Sequence, residues 1–318
     1  MKRISIYILI VFMLLQQSCT CVKDDLAQFN SELLLRFRYT LNNKHVNLFG
    51  SDVKSVTIYI FDSNNKYVNN FSEQGNKLTN DYVMHIQLPK GKYSAIVYGG
   101  PFTTYSVGEL DNQSNILNKT LRKGITDIND FRTELQHIAN ADTYLYPANT
   151  PDDLYVGLAT NAISDIDNKN ITDIELIKNT KKIKVKITGT DFINSPLSVY
   201  ITALNGRYKF DNNIDIKHGT LKYTPIATSS QPNYIEVDLK TMRLMLGQLS
   251  MLTIKNSVTN ETLYNEEMIS QILLNPQYIF QADFDCADEF IFEILIVNNI
   301  VISITINGWI INNINSDI

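Results

Sequence analysis

The stretch that most limits how this chain can fold is residues 53–100, which reads as strands broken by turns. Val53-Lys54-Ser55-Val56-Thr57-Ile58-Tyr59-Ile60-Phe61 is rich in β-branched and aromatic side chains, which suit a pleated, half-buried surface. Asp62-Ser63-Asn64-Asn65-Lys66 then supplies turn chemistry. Residues 82–88 alternate apolar with polar, Pro89-Lys90-Gly91-Lys92 reverses the chain, and Tyr93-Ser94-Ala95-Ile96-Val97-Tyr98 returns to Gly99-Gly100. That order is a hairpin signal.

The rest of the chain repeats this chemistry. With 17 Tyr, 14 Phe and frequent Ile, Thr and Asn, it favours strands joined by polar turns, and 44% hydrophobic against 19% charged residues is a globular balance. All-β is the expected class, and 318 residues suffice for about two domains. Residues 31–39 place Leu33, Leu35, Phe37 and Tyr39 on one strand face and Leu34, Arg36 and Arg38 on the other. Residues 124–138 predict one helix, capped by Thr126 or Asp127, with Ile128, Phe131, Leu135 and Ile138 inward. Residues 154–158 form a closing strand, and the polar run 161–170 marks a domain boundary.

Beyond that boundary, Lys182, Lys184 and Lys186 line one face of a strand, a solvated face that discourages unwanted pairing. Residues 198–204 and 208–210 read as a hairpin around Asn205-Gly206. Residues 234–239, 249–254 and 278–284 continue the strand pattern. In the tail, residues 289–297 and 300–306 are two strands around Asn298-Asn299. Phe290, Phe292, Ile294 and Ile296 share one face, and Ile300, Ile302, Ile304 and Ile306 share another. Glu293, Asn298, Asn299, Ser303 and Thr305 argue against a membrane span there.

The N-terminus has its own logic. Met1-Lys2-Arg3 followed by the apolar residues 4–15 is the pattern of a secretory signal peptide, too short to span a bilayer, which takes about 20 apolar residues. Gln16-Gln17-Ser18-Cys19 places a small residue directly before a cysteine, like a lipoprotein signal-peptidase site. A diacylglycerol on Cys19 holds a protein on a membrane through buried methylenes worth about 0.8 kcal/mol each.

Several chemistries are excluded. The formal charge is −5, and the leader carries Lys2 and Arg3 without an acid, so no clustered basic surface is expected and nucleic acid is not a partner. The three cysteines, at 19, 21 and 286, make neither a disulfide scaffold nor a zinc site. His45, His85, His137 and His218 share no metal-ligand spacing, and no nucleophile elbow, phosphate loop or dinucleotide fingerprint is present. Cys286 lies in an acidic setting, Phe284-Asp285-Cys286-Ala287-Asp288, that opposes a thiolate. The acidic turns match no EF-hand loop. Neither enzymatic activity, a metal nor a cofactor is expected.

The strand Ile58-Tyr59-Ile60-Phe61-Asp62 and the hairpin Leu88-Pro89-Lys90-Gly91-Lys92-Tyr93, with Val97-Tyr98-Gly99-Gly100, resemble the prealbumin-like (transthyretin-like) sandwich of FimB-type fimbrial anchor lipoproteins of Bacteroidota. The terminal Asn307-Gly308-Trp309 is similar as well. The resemblance implies two tandem transthyretin-like β-sandwiches with minor helix, in five segments. They are a signal peptide over 1–18, an acylated N-terminus and linker over 19–31, an N-terminal sandwich over 32–160, a linker over 161–170 and a C-terminal sandwich over 171–318. Lys23-Asp24-Asp25 resembles the acidic signal that sends lipoproteins of these bacteria to the outer face of the outer membrane.

The function implied is a surface-exposed, palmitate-bearing outer-membrane lipoprotein that anchors the base of a fimbrium, with cell adhesion and virulence as its context. Its partners are fimbrillin shaft subunits, and the outer membrane through lipid. Pili of this class join subunits by donor-strand exchange, and Ile300, Ile302, Ile304 and Ile306 form the candidate donor strand. In polymerising relatives an arginine-specific protease removes the first strand. A cut at Arg36 or Arg38 would sever an anchor from its lipid, so these arginines are read as an exposed strand face. The alternatives are a surface lipoprotein binding glycan or host protein through sandwich loops, a fimbrial tip subunit, and an accessory module without a pilus role. A glycan binder calls for clustered exposed aromatics, whereas the tyrosines here fall mostly in strands.

Overall fold

A computed structural model describes residues 31–110, 117–118, 120–166, 170–189 and 196–313. Cys19, Lys23, Asp24 and Asp25 lie outside the described residues. The first strand forms as Glu32–Arg38, with Leu33, Leu35 and Phe37 fully buried. It is the middle strand of a three-stranded sheet, parallel to Ile171–Glu175 and antiparallel to Val83–Gln87. On its outer side Arg36 and Arg38 both donate to Asp173, so the two arginines tie the first strand to its parallel neighbour.

Facing this sheet is a five-stranded one in the order Ile177–Lys178, Tyr155–Ser164, Gly91–Gly99, Ser55–Phe61, Tyr67–Gln74. Alternation decides what each strand buries. Val56, Ile58 and Ile60 pack toward the first sheet with Leu33, Leu35 and Phe37. The run Ala95-Ile96-Val97-Tyr98 buries both faces, Ala95 and Val97 on one side and Ile96 and Tyr98 on the other. Gly100 turns the chain after it at φ 107°, where a Cβ would meet the Asp153 carbonyl at 2.0 Å.

The second face of the five-stranded sheet is covered by a four-stranded sheet, in the order Arg207–Lys209, Phe131–Leu135, Tyr105–Leu110, Leu117–Asn118. Here the structure corrects the helix expected over 124–138. Gly124 at φ 70° and the Asp127 carboxylate, which accepts from the Asn129 N–H, hold the first part in turns. Phe131–Leu135 is then a strand with a partner on each side. Phe131, Leu135 and Ile128 have helical spacing, but long-range pairing overrides it. The Phe131 ring lies 5.1 Å from Tyr59, 5.5 Å from Phe61 and 6.2 Å from Tyr98, closing the layer.

The second half is a pair of six-stranded sheets. One runs Thr262–Glu267, Ser250–Asn256, Leu197–Ala203, Leu221–Tyr223, Leu145–Pro147, His137–Ala139. The other runs Ala227–Gln231, Tyr234–Met242, Thr180–Thr188, Glu289–Val297, Ile300–Ile306, Trp309–Asn313. Ile183, Val185, Ile187, Phe290, Phe292 and Ile294 point into their common core, each fully buried or nearly so. Such burial is worth about 1.5–3 kcal/mol per large side chain. The opposite face carries Lys184 beside Glu236 at 2.8 Å and Lys186 beside Glu293 at 3.4 Å, a solvated ion-pair face as expected. The fold is all-β, with short helices at Phe49–Asp52, Met268–Ile272 and Gln281–Cys286.

Strands are exchanged along the chain. Leu145–Pro147 and His137–Ala139 complete a sheet otherwise built from residues 197–267, and Arg207–Lys209 pairs with Phe131–Leu135. One hydrophobic cluster accordingly extends from Phe61 to Ile306. The hairpin expected around Asn205-Gly206 is absent, because the chain crosses there from one sheet to another. Asn205 is buried, donates to the Met242 and Arg243 carbonyls and accepts from the Tyr223 hydroxyl. Gly206 is needed because a Cβ would meet the His218 ring at 2.6 Å. The strand expected over 278–284 gives way to the helix Gln281–Cys286, whose first turn is held by the Asp283 carboxylate accepting from the Phe280 N–H at 2.7 Å.

Two buried ionic clusters secure these crossings. Arg132 lies 2.9 Å from Asp215, and Arg207 lies 2.9 Å from Glu134 and 3.8 Å from Asp215. Elsewhere Arg243 donates twice to Asp285, at 2.7 and 2.6 Å. Lys181 donates to the Asp285 and Ala287 carbonyls, and its burial, only partly offset by Asp285 and Asp288, pulls the ammonium down to about 8.

Candidate functional site

The C-terminal tail forms the edge of the second sandwich, and its turns are set by local chemistry. Asn298 and Asn299, at φ 51° and 63°, make the expected tight turn, and Asn307 and Gly308, at φ 48° and 79°, make another. The Asn307 side chain accepts from the Ile291 N–H and donates to the Tyr278 hydroxyl, fixing the second turn against the neighbouring strand.

The expected shared face of Ile300, Ile302, Ile304 and Ile306 is split. Ile306 and Ile304 oppose Phe292 and Ile294 and are buried, but the register then shifts by one residue. A bulge of this kind reverses the alternation beyond it. Val301 comes to oppose Ile296, and Ile300, opposite Val297, is 57% exposed. The 300–306 strand is paired on both sides, with 289–297 and with 309–313.

The 309–313 strand is outermost in its sheet, and the 262–267 strand is outermost in the facing one. Between these edges lies a cavity of about 280 Å³, lined by Leu263, Tyr264, Gln271, Val301, Ile304 and Asn312 among others. The Tyr264 hydroxyl is buried with no hydrogen-bond partner among the described residues, and Trp309 and Ile310 stand exposed on the outer strand. An outer strand with one free row of backbone N–H and C=O groups, beside an apolar seam, can accept a further strand.

A second feature escaped sequence reasoning. Tyr144, Tyr146 and Tyr200 surround the Lys222 ammonium at 5.4, 5.7 and 4.3 Å from their ring centres, and the Tyr146 hydroxyl donates to Asp142. Beside them is a polar cavity of about 280 Å³ that includes Asn149, Thr150 and Lys240. Tyr144 and Tyr146 are two residues apart in one segment, but Tyr200 and Lys222 come from other strands, so no spacing in the sequence links the whole cluster.

Of the four histidines, which share no metal-ligand spacing in the sequence, His137 and His218 meet in the fold, with Glu134 beside them. The acidic turns use their carboxylates internally. Asp62 accepts from the N–H groups of Asn64 and Lys66, while Asp285 is engaged by Arg243. Burial, with Asp285, Asp283 and Asp288 adding to it, pushes the Cys286 thiol up and away from thiolate chemistry.

A family model described as "Mfa2: Fimbrillin-A associated anchor proteins Mfa1 and Mfa2" matches residues 23–315. Among solved structures, the chain is similar to a candidate polysaccharide-binding protein from Bacteroides thetaiotaomicron VPI-5482, at 22% identity and a TM-score of 0.75, covering 90% of this chain and 99% of that one. It is similar to a candidate adhesin from the same organism, at 24% identity and a TM-score of 0.72, covering 91% and 100%. It is also similar to the fimbrial anchor protein Mfa2 from Porphyromonas gingivalis, at 16% identity and a TM-score of 0.70, covering 89% and 99%. At these identities the likenesses carry the fold alone. No curated protein sequence matches the chain.

Proposed function

Since the chain belongs to the family of fimbrillin-A associated anchor proteins Mfa1 and Mfa2, we propose that it is the lipid-held foot of a fimbrium on the outer membrane. A fimbrial role, a place on this cell-surface appendage and fimbrial subunits as partners follow from the family, as does a structural rather than catalytic task. What supports the finer reading is the family match over residues 23–315, to proteins described as fimbrial anchors, together with the leader and Cys19 that precede it in the sequence.

In this reading Cys19 carries the acyl chains, Lys23, Asp24 and Asp25 direct the protein to the cell surface, and the two sandwiches are spacer and docking platform, although the strands over 171–178 lie in the first and those over 137–147 in the second. The shaft subunit docks at the C-terminal edge. If the strand bearing Ile300, Ile302, Ile304 and Ile306 were donated, two ladders would break and Phe292 and Ile294 would lose cover. A strand added to the edge of 309–313, which has no second neighbour among the described residues, breaks none of these ladders, so the edge is the less costly joint.

Replacing Cys19 with alanine is expected to abolish incorporation of labelled palmitate and to release assembled fimbriae into the medium. Replacing Ile310 with lysine, on the exposed outer strand, is expected to leave lipidation intact while the shaft is lost. Fimbriae that stay rooted in the Cys19→Ala strain would refute the anchor reading.

A second reading, surface glycan binding, is favoured by the Tyr144, Tyr146 and Tyr200 cluster, since aromatic faces beside a polar cavity suit sugar rings. It requires that Tyr146→Ala lower retention on a polysaccharide matrix without affecting the fimbriae.

A further inference from the structure

Glu134, His137 and His218 come together where the chain passes from the four-stranded sheet into the neighbouring six-stranded one. Glu134 is in the strand Phe131–Leu135, His137 opens the next strand, His137–Ala139, and His218 ends the short turn Ile216–His218. One ligand atom from each lies within 4.8 Å of the others. The two imidazole rings are 4.7 Å apart between centres, near the roughly 5 Å that two imidazoles on one tetrahedral ion would show.

The histidines are prepared unequally. His137 Nδ1 lies 3.1 Å from the Leu135 carbonyl, a contact that puts its proton on Nδ1 and leaves the Nε2 lone pair available. Ligating histidines are commonly oriented in this way by a backbone carbonyl. The His218 side chain is 0% exposed, and neither of its ring nitrogens has a hydrogen-bond partner among the described residues. A buried polar atom left so costs about 1–3 kcal/mol, which a bound ion would remove. Its Nε2 is 3.8 Å from Glu134 Oε2. That oxygen also accepts from Arg207, whose guanidinium holds the carboxylate in place.

We propose that Glu134, His137 and His218 bind one divalent transition-metal ion of the zinc class, with water completing the coordination. Two imidazoles and one carboxylate suit zinc, with ligand bonds of about 2.0–2.2 Å, and do not suit calcium or magnesium, which take oxygen ligands. Closing the ligand atoms to the roughly 3.3 Å separation of a tetrahedral site requires rotation of the half-buried Glu134 and His137. The ion would clip Glu134 and His137 to His218 across the crossing between sheets.

The test uses purified, untagged protein stripped with chelator and titrated with Zn²⁺ by calorimetry and thermal unfolding, with Co²⁺ as a spectroscopic stand-in. Expected are one ion per chain, the visible bands of tetrahedral Co²⁺, and a melting temperature raised by about 5 °C at a hundredfold excess over the Kd. His137→Ala, at a half-buried position that tolerates truncation, should weaken binding by about tenfold or more and remove the thermal shift. Glu134→Gln should do the same. An absence of Zn²⁺ binding up to millimolar concentration, or binding left unchanged by His137→Ala, would overturn the assignment.

Discussion

Replacing Asp215 with alanine is expected to lower the unfolding free energy by about 3–5 kcal/mol, the cost of leaving a buried charge without its partner. Asp215 stands 2.9 Å from Arg132 and 3.8 Å from Arg207, and all three side chains are at least nine-tenths buried. Arg132 comes from the strand beside Tyr105–Leu110, whereas Arg207 and Asp215 come from a segment late enough in the chain to belong with the second sandwich. The carboxylate therefore holds the chain together at its crossing. Urea unfolding would measure the loss, and a change below about 1 kcal/mol would show that the guanidinium groups are solvated in some other way.

The effect carries a pH signature. Burial alone would raise the Asp215 carboxyl, but hydrogen bonds from Arg132 and the Lys217 N–H, with the charges of Arg132 and Arg207, outweigh it and hold the group below its ordinary range. The unfolded chain then binds the proton more readily than the folded one. Asp215 thus contributes its full stabilisation above the unfolded pKa of about 4, and this is lost as pH falls further. The gap between the wild type and Asp215→Ala should be constant from pH 7 to 5 and shrink below 4.

Asp285→Ala should be comparably damaging, again about 3–5 kcal/mol. Asp285 takes two hydrogen bonds from Arg243 and one from the Gln281 side chain, and its removal strands a guanidinium that is 7% exposed. The helix Gln281–Cys286 also depends on it, because Gln281 donates to the Leu244 carbonyl and accepts from the Leu246 N–H. Tyr278, just before this helix, meets Asn307 at the turn leading into the outer strand, so loosening the helix reaches the proposed docking edge. Pairing Asp285→Leu with Arg243→Met should restore most of the stability, since exchanging a buried ion pair for apolar side chains is often neutral. If the double variant were as unstable as Asp285→Ala, lost packing rather than the stranded charge would be the cause.

What could be read along the chain was whatever neighbours in sequence control. The buried face of the first strand, the solvated lysine face, the Asn298-Asn299 turn and the all-β class all rest on two-residue alternation or on residues suited to positive φ, and the structure contains each of them. What only the tertiary structure decided was pairing between distant segments. Phe131–Leu135 could have been helical until Tyr105–Leu110 and Arg207–Lys209 offered ladders on both sides. The bulge beside Ile302 turned Ile300 outward although the isoleucines alternate without a break. His137 and His218, like Arg132 and Asp215, met because strands cross between sheets. Alternation reports which side of a strand is apolar, whereas the partner that covers it is selected by the free energy of the whole buried core, and no local window contains that sum.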